Sequence, residues 1–271
     1  MISYFPKGAE KEVEELQAQD KAVKLIREAS NAGQQITFRW LRSVSARDFS
    51  RKSDLGWGTA VLGCTDLLDQ YLYTYGLMVH AQWSTLLADY QLPPGPIKLV
   101  DHGCGQGLAG LILSEKFGPE FAAALKKIIL IEPSKFGLVR SEAVYRAIAP
   151  ECEIHCVNKQ FDDVTRDDFQ PGENMFTLHL FSNVLDIAGF DQFQLFGEAF
   201  SPGEHEILVV SPDRDFDGGT PRIQALKAAV EDPQHAEALL ITHSELREFS
   251  CGPNGKFPAV TWRARVAVND E

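Results

Sequence analysis

Residues 97–110 read Ile-Lys-Leu-Val-Asp-His-Gly-Cys-Gly-Gln-Gly-Leu-Ala-Gly, and no other stretch of the chain restricts its fold as tightly. A short apolar run ends at Asp101. Glycines follow at Gly103, Gly105, Gly107 and Gly110, and apolar residues resume with Leu111 and Leu113. The pattern predicts a buried strand, a tight glycine turn and the first turns of a helix. Glycine lets the backbone come close to a ligand because no Cβ intervenes. The free N–H groups at a helix start suit polar or anionic ligand groups. The stretch is therefore read as a cofactor loop that the rest of the chain frames.

Beyond Pro96 the pattern alternates strand with helix. Strands are expected at 97–101, 128–131, 153–157, 175–181 and 206–210. Helices are expected at 108–117, 135–148, 190–200 and 221–230. Such alternation implies an α/β fold whose mostly parallel sheet carries helices on both faces. The chain then changes character. A strand at 244–249, the turn Cys-Gly-Pro-Asn-Gly and a strand at 259–268 predict a terminal antiparallel strand, part of a hairpin. Seven strands result.

Before the loop, Pro93-Pro94-Gly95-Pro96 breaks the chain sharply. The expected organisation is an N-terminal helical region over 1–95, on the substrate side, and an α/β domain over 96–271. In 9–29, Val13, Leu16, Val23 and Ile26 recur at helical spacing and predict one helix. Residues 36–52 combine Arg39, Arg42, Arg47, Arg51 and Lys52 with Phe38, Trp40 and Phe49. This stretch can bind phosphate or RNA, but the preferred reading is a solvated helix face that pairs with the acidic remainder. Residues 54–92 are rich in Tyr and Trp and predict two helices joined near Gly76. Their aromatics can line a substrate pocket or fill the space between helices.

The net charge of −12 disfavours nucleic acid as a partner without excluding a local basic patch. No apolar run approaches the ~20 residues of a membrane helix, so no membrane partner is expected. The N-terminus lacks the apolar core of a signal peptide, which places the expected location in the cytoplasm. Five cysteines, an odd number, read as reduced thiols rather than a disulfide framework. Cys152, His155 and Cys156 have metal-like spacing, but the segment reads as a half-buried strand and no metal site is expected.

Asp101, Glu132, Asp162 and Ser182–Asn183 each follow a predicted strand, and ligands of parallel sheets sit at such strand ends. Two cofactors fit the loop itself. Gly105-Gln-Gly107-Leu-Ala-Gly110 matches the dinucleotide fingerprint, and Glu132 lies 22 residues beyond Gly110, near the ~20 of a ribose-binding acid. Against a dinucleotide stand the acid Asp101 ahead of the glycines and the 161 residues left after Gly110, too few for a typical substrate domain.

The arrangement resembles the class I S-adenosylmethionine-dependent methyltransferases. The matching residues are Val-Asp101-His-Gly103-Cys-Gly105-Gln-Gly107, then Ile-Leu-Ile-Glu132-Pro, Phe161-Asp162 and Leu-Phe-Ser182-Asn183-Val-Leu-Asp186. The resemblance covers roughly residues 96–268. It implies a Rossmann-like domain binding S-adenosyl-L-methionine through Asp101, Gly103, Gly105, Gly107, Glu132, Phe161, Asp162 and Ser182. Glu132 would accept the ribose hydroxyls, Asp162 the adenine amine, and Phe161 would pack on the ring. Asn183 and Asp186 are the candidates on the acceptor side, whereas His179, inside an apolar strand, reads as a satisfied core histidine. Ser182-Asn183-Val184-Leu185 departs from the Asp/Asn-Pro-Pro-aromatic segment of exocyclic-amine methyltransferases. The methyl acceptor is therefore expected to be a small molecule ahead of RNA or protein. A catalytically inactive binding or regulatory protein and a nicotinamide-dependent oxidoreductase are the alternatives. Oligomeric state is not encoded in any motif.

Overall fold

The computed structural model describes residues 3–171, 175–215 and 218–269. Its elements are β1 (Ser3–Tyr4), α1 (Glu10–Gln19), α2 (Lys21–Asn31), α3 (Phe38–Val44), α4 (Thr65–Thr74), α5 (Gly76–Leu86), β2 (Ile97–His102), α6 (Leu108–Phe117), α7 (Pro119–Ala124), β3 (Leu125–Ile131), α8 (Lys135–Ile148), β4 (Glu153–Val157), β5 (Phe176–Ser182), α9 (Gln192–Ala199), β6 (Gly203–Pro212), α10 (Gly219–Val230), β7 (Leu239–Cys251) and β8 (Phe257–Val268). One sheet runs β1-β4-β3-β2-β5-β6-β8-β7. All neighbours are parallel as far as β6, and β8 then lies antiparallel between β6 and β7. The fold is a Rossmann-like α/β sheet with an antiparallel edge.

β2 is buried along its whole length, which is why its sequence reads as a continuous apolar run rather than an alternation. Leu99, Ile128 and Leu130 lie on the side covered by α8, in one apolar cluster that extends to Val23, Ile26, Leu41 and Trp83 of the N-terminal helices. Val100, Ile129 and Ile131 face the other way, with Phe181, Phe196 and Trp262 under α9 and α10. Among the described residues no helix is long and apolar enough to cross a membrane.

Three expectations are corrected. The sheet has eight strands, not seven. The addition is β1, where Ser3 and Tyr4 pair with Ile154 and His155. Two residues are too few to show a period, and the strand is held by side chains: Tyr4 stacks on His155 at 4.6 Å, and Ser3 Oγ donates to Glu142. The single helix over 9–29 is two, because Asp20 leaves the helical region (ψ 107°) and caps α2 by accepting from Ala22 N at 2.8 Å. The helix face over 36–52 is α-helical only at Phe38–Val44. Beyond it, Ala46 N and Asp48 N donate to Asp69 and Gln70 of α4, so they are lost to any helix, and a kinked 3-10 segment, Phe49–Gly58, follows.

His179 is buried as expected, inside a chain of three histidines that crosses β2, β5 and β6. His102 Nε2 meets His179 Nδ1 at 3.1 Å, His179 Nε2 meets His205 Nδ1 at 3.0 Å, and His205 Nε2 meets the Ser201 carbonyl at 2.7 Å. A carbonyl only accepts, so His205 carries its proton on Nε2, and the same tautomer propagates to His179 and His102. Burial pushes His102 down to about 3 and His205 to about 4, and His179 also well down. With lowered folded-state pKa values, the unfolded chain binds these protons first. The stabilisation is present above about pH 6.5 and is lost as pH falls below it. Replacing His179 by Asn is expected to flatten the dependence of urea-unfolding free energy on pH between pH 6 and 5 by about 1 kcal/mol per pH unit; an unchanged slope contradicts the neutral chain.

Candidate cofactor site

The loop after β2 is set by contacts on both sides. Gly103, Gly105 and Gly107 all have left-handed backbones, with φ of 63°, 52° and 78°. At Gly103 a Cβ would lie 2.5 Å from Val184 Cγ1, so both the conformation and the space demand glycine. Gly110 serves packing instead: a Cβ there would lie 2.2 Å from Tyr145 Cζ of α8. Cys104 N donates to the Ile131 carbonyl at 3.0 Å, tying the loop to the end of β3.

That end carries Glu132, 8% exposed. Its Oε2 accepts from Gly105 N and its Oε1 from Ser134 N, each at 2.9 Å. Burial pushes its pKa up, opposed by these two N–H bonds. A carboxylate offers about four lone-pair directions, so two remain for a ligand. Ser134 Oγ accepts from Gly137 N at 3.0 Å, starting α8, and donates to the Leu62 carbonyl.

Glu132 lines a cavity of about 390 Å³ together with Gly103, Gly105, Phe161, Asp162, Ser182 and Asn183. Its size falls within the ~300–1,000 Å³ of small-molecule sites. Phe161 stacks obliquely on Phe190 at 4.7 Å. Asp162 is exposed, and its carboxylate accepts from Asp191 N at 2.9 Å. Ser182 Oγ accepts from Trp83 Nε1 at 3.0 Å. Asn183 has φ of 58°, and its buried Oδ1 accepts from no donor among the described residues.

Three expected site residues do not line the cavity. Gly107 opens α6 and would press a Cβ to 3.1 Å of Ser141 Oγ. Asp101 is fully buried behind the loop, where Tyr145 Oη donates to it at 2.7 Å; burial raises it to about 7, against the lowering effect of that bond. Asp186 is 1% exposed and paired with Arg214 at 2.6 Å, with burial raising its pKa.

The N-terminal region supplies the other wall, on the substrate side as expected, and of the aromatics of 54–92 it is Tyr71 that reaches it. Residues 58–62 of the loop before α4, Leu68 and Tyr71 of α4, and Val79 of α5 border the same cavity. Burial, Asp186, Tyr75 and Glu132 in that order push the Tyr71 pKa up, so its phenol stays protonated and can donate. Gln106 Nε2 donates to the Leu68 carbonyl at 3.0 Å. Arg140, 1% exposed, reaches Asp20 at 2.9 Å, Asp69 at 2.6 Å and Gln106 Oε1 at 3.3 Å. The aromatic richness of 54–92 was the available signal; nothing local marks Arg140 or Gln106.

The sequence matches no family model and no curated protein. Among solved structures the chain is similar to a SAM-dependent methyltransferase of Leishmania major, at 16% identity and TM-score 0.44 over 77% of this chain and 79% of that one. It is similar to the plantazolicin methyltransferase BpumL in complex with SAH, at 9% identity and TM-score 0.46 over 96% and 98%. It is also similar to a SAM-dependent methyltransferase of Aquifex aeolicus, at 14% identity and TM-score 0.41 over 69% and 91%.

Because Arg140 is the buried countercharge of Asp20, removing it strands that carboxylate. Arg140→Ala is expected to cost about 3–5 kcal/mol in urea unfolding; a loss under about 1 kcal/mol contradicts the buried network.

Proposed function

We propose that the chain is an S-adenosyl-L-methionine-dependent methyltransferase. The observation that carries this reading is the convergence of Glu132, the glycine loop, Phe161–Asp162 and Ser182–Asn183, from four strand ends, on one cavity. The sheet order supports it over the dinucleotide alternative. A dinucleotide domain continues with a further parallel strand after the fifth, whereas here the antiparallel β8 follows β6.

The residues present fit the cofactor. Glu132 keeps lone pairs free to accept both ribose hydroxyls, a charge-assisted pair. The exposed Asp162 accepts from the adenine amine, and the Phe161 ring packs on the base. Gly103 and Gly105 leave room for the amino-acid tail. Asp101 acts from behind the loop: through Tyr145 it fixes α8 against β2 and so positions the glycines. Ser182, held by Trp83, keeps Asn183 at the floor, where its unmatched Oδ1 suits a donor on cofactor or acceptor. Tyr71 adds a protonated phenol from the N-terminal wall. The Asp186–Arg214 pair fastens the turn after β5 to the chain after β6, supporting the acceptor side without touching the cavity.

When bound through Glu132, Asp162 and the glycine loop, S-adenosylmethionine would supply an electrophilic methyl group on sulfonium, with the thioether as its leaving group. The protein's part is positioning and exclusion of water. A general base is needed only for an acceptor that must first lose a proton.

Titration calorimetry with S-adenosylhomocysteine tests this directly. Wild type is expected to bind it and to ignore nicotinamide dinucleotides. Glu132→Ala is expected to weaken binding at least about 100-fold, since two charge-assisted hydrogen bonds are lost. Binding of a nicotinamide dinucleotide with no heat from S-adenosylhomocysteine overturns the reading.

A further inference from the structure

The basic segment before α4 does not behave as its sequence suggested. Residues 38–52 hold five cations and one acid, Asp48. Arg51 pairs with Asp54 at 2.7 Å. Arg39, Arg42, Arg47 and Lys52 meet no carboxylate among the described residues, although the chain has twelve more negative than positive charges. The acidic remainder leaves them unpaired.

These cations are interleaved with flat apolar surface. Arg47 lies over the Phe49 ring at 3.5 Å, and Phe49 is 61% exposed. Arg42 lies over Tyr73 at 4.9 Å, with Nε buried and without a hydrogen-bond partner among the described residues. The 3-10 segment Phe49–Gly58 also carries Trp57, which is 89% exposed and has φ of 59°. A bulky residue in the left-handed region costs about 1–3 kcal/mol, and burial does not compensate here. Trp57 directly precedes residues 58–62, which line the cavity.

Unpaired guanidinium groups, stacked rings and an exposed indole beside a cavity mouth are what unpaired nucleotides require. Phosphates take the charges, and bases of any sequence stack on aromatic faces or guanidinium planes. An acidic peptide would use the charges and leave the rings unused. We propose that the Arg39–Lys52 face and the Phe49–Gly58 segment dock single-stranded RNA and lead one nucleotide past Trp57 to the cavity. RNA rather than DNA is chosen because its unpaired loops and ends are the usual targets of such stacking. The proposal deepens the methyl-transfer reading by naming the acceptor class, and it rests on that reading for the transfer itself.

Fluorescence anisotropy with a short labelled RNA of mixed sequence tests it, with S-adenosylhomocysteine binding measured on the same samples. Four phosphate contacts, one for each of these cations, predict a log–log salt slope of about −2.8 and roughly a 50-fold loss of affinity between about 50 and 200 mM salt. Phe49→Ala and Trp57→Ala are each expected to weaken RNA binding at least about fivefold, and Arg47→Ala to reduce the salt slope by about 0.7. Lys52→Ala, an exposed side chain, is a second charge variant with the same expected slope change. All four should bind S-adenosylhomocysteine like wild type. The proposal is overturned by absent RNA binding, by equal affinity for heparin, by tighter binding of duplex RNA or of DNA of the same sequence, or by variants that bind like wild type. A wild-type protein that binds S-adenosylhomocysteine but no RNA sinks this proposal alone; one that binds RNA but no S-adenosylhomocysteine sinks the methyl-transfer reading.

Discussion

Arg140 is a guanidinium with almost no access to water, and burying such a charge costs several kcal/mol unless partners surround it. Its partners come from three distant segments: Asp20 at the start of α2, Asp69 on α4 and Gln106 in the glycine loop. All three must converge for the charge to be tolerated. Asp20 meanwhile caps α2, and Gln106 donates to the backbone of α4. One ion network therefore sets where the N-terminal helices stand relative to the loop.

The consequence for chemistry is that the cavity has two unlike walls. The sheet side offers fixed acceptors, Glu132 above all, held by backbone N–H groups. The helical side offers Leu68, Tyr71 and Val79. The proposed cofactor draws on the sheet wall, which leaves the helical wall to the proposed acceptor. None of the cations of residues 38–52 lines the cavity.

How much of this could be read from the sequence follows from what each feature depends on. The boundaries of α6, α8 and β4 coincide with those expected, because they are marked locally, by the glycine loop, by Ser134 as a cap and by a short strand between turns. The strand-end residues that line the cavity were legible for the same reason. β1 was not, having only two residues, nor was the break at Asp20, whose carboxylate serves a helix cap and an arginine 120 positions away. Asp101 was expected to touch the cofactor because it stands at a strand end, and Asp186 to serve the acceptor because it lies near the end of a strand. Whether such a carboxylate faces the cavity or a private partner is decided by Tyr145 and Arg214, which only the fold brings near. The Phe49–Gly58 segment is similar: the chain entering it is held by Asp69 and Gln70 of α4, and its exposed Trp57 has no sequence signature.

In the proposed reading, Glu132 and the glycine loop form the nucleoside end of a cofactor site whose other wall is the N-terminal region. A crystal structure grown with S-adenosylhomocysteine tests it most directly. The account predicts the ribose hydroxyls on the Glu132 carboxylate, adenine beside Phe161 and Asp162, and the amino-acid tail between the glycines and α4. Density for the ligand elsewhere, or a ribose that leaves Glu132 to Gly105 and Ser134 alone, would contradict it.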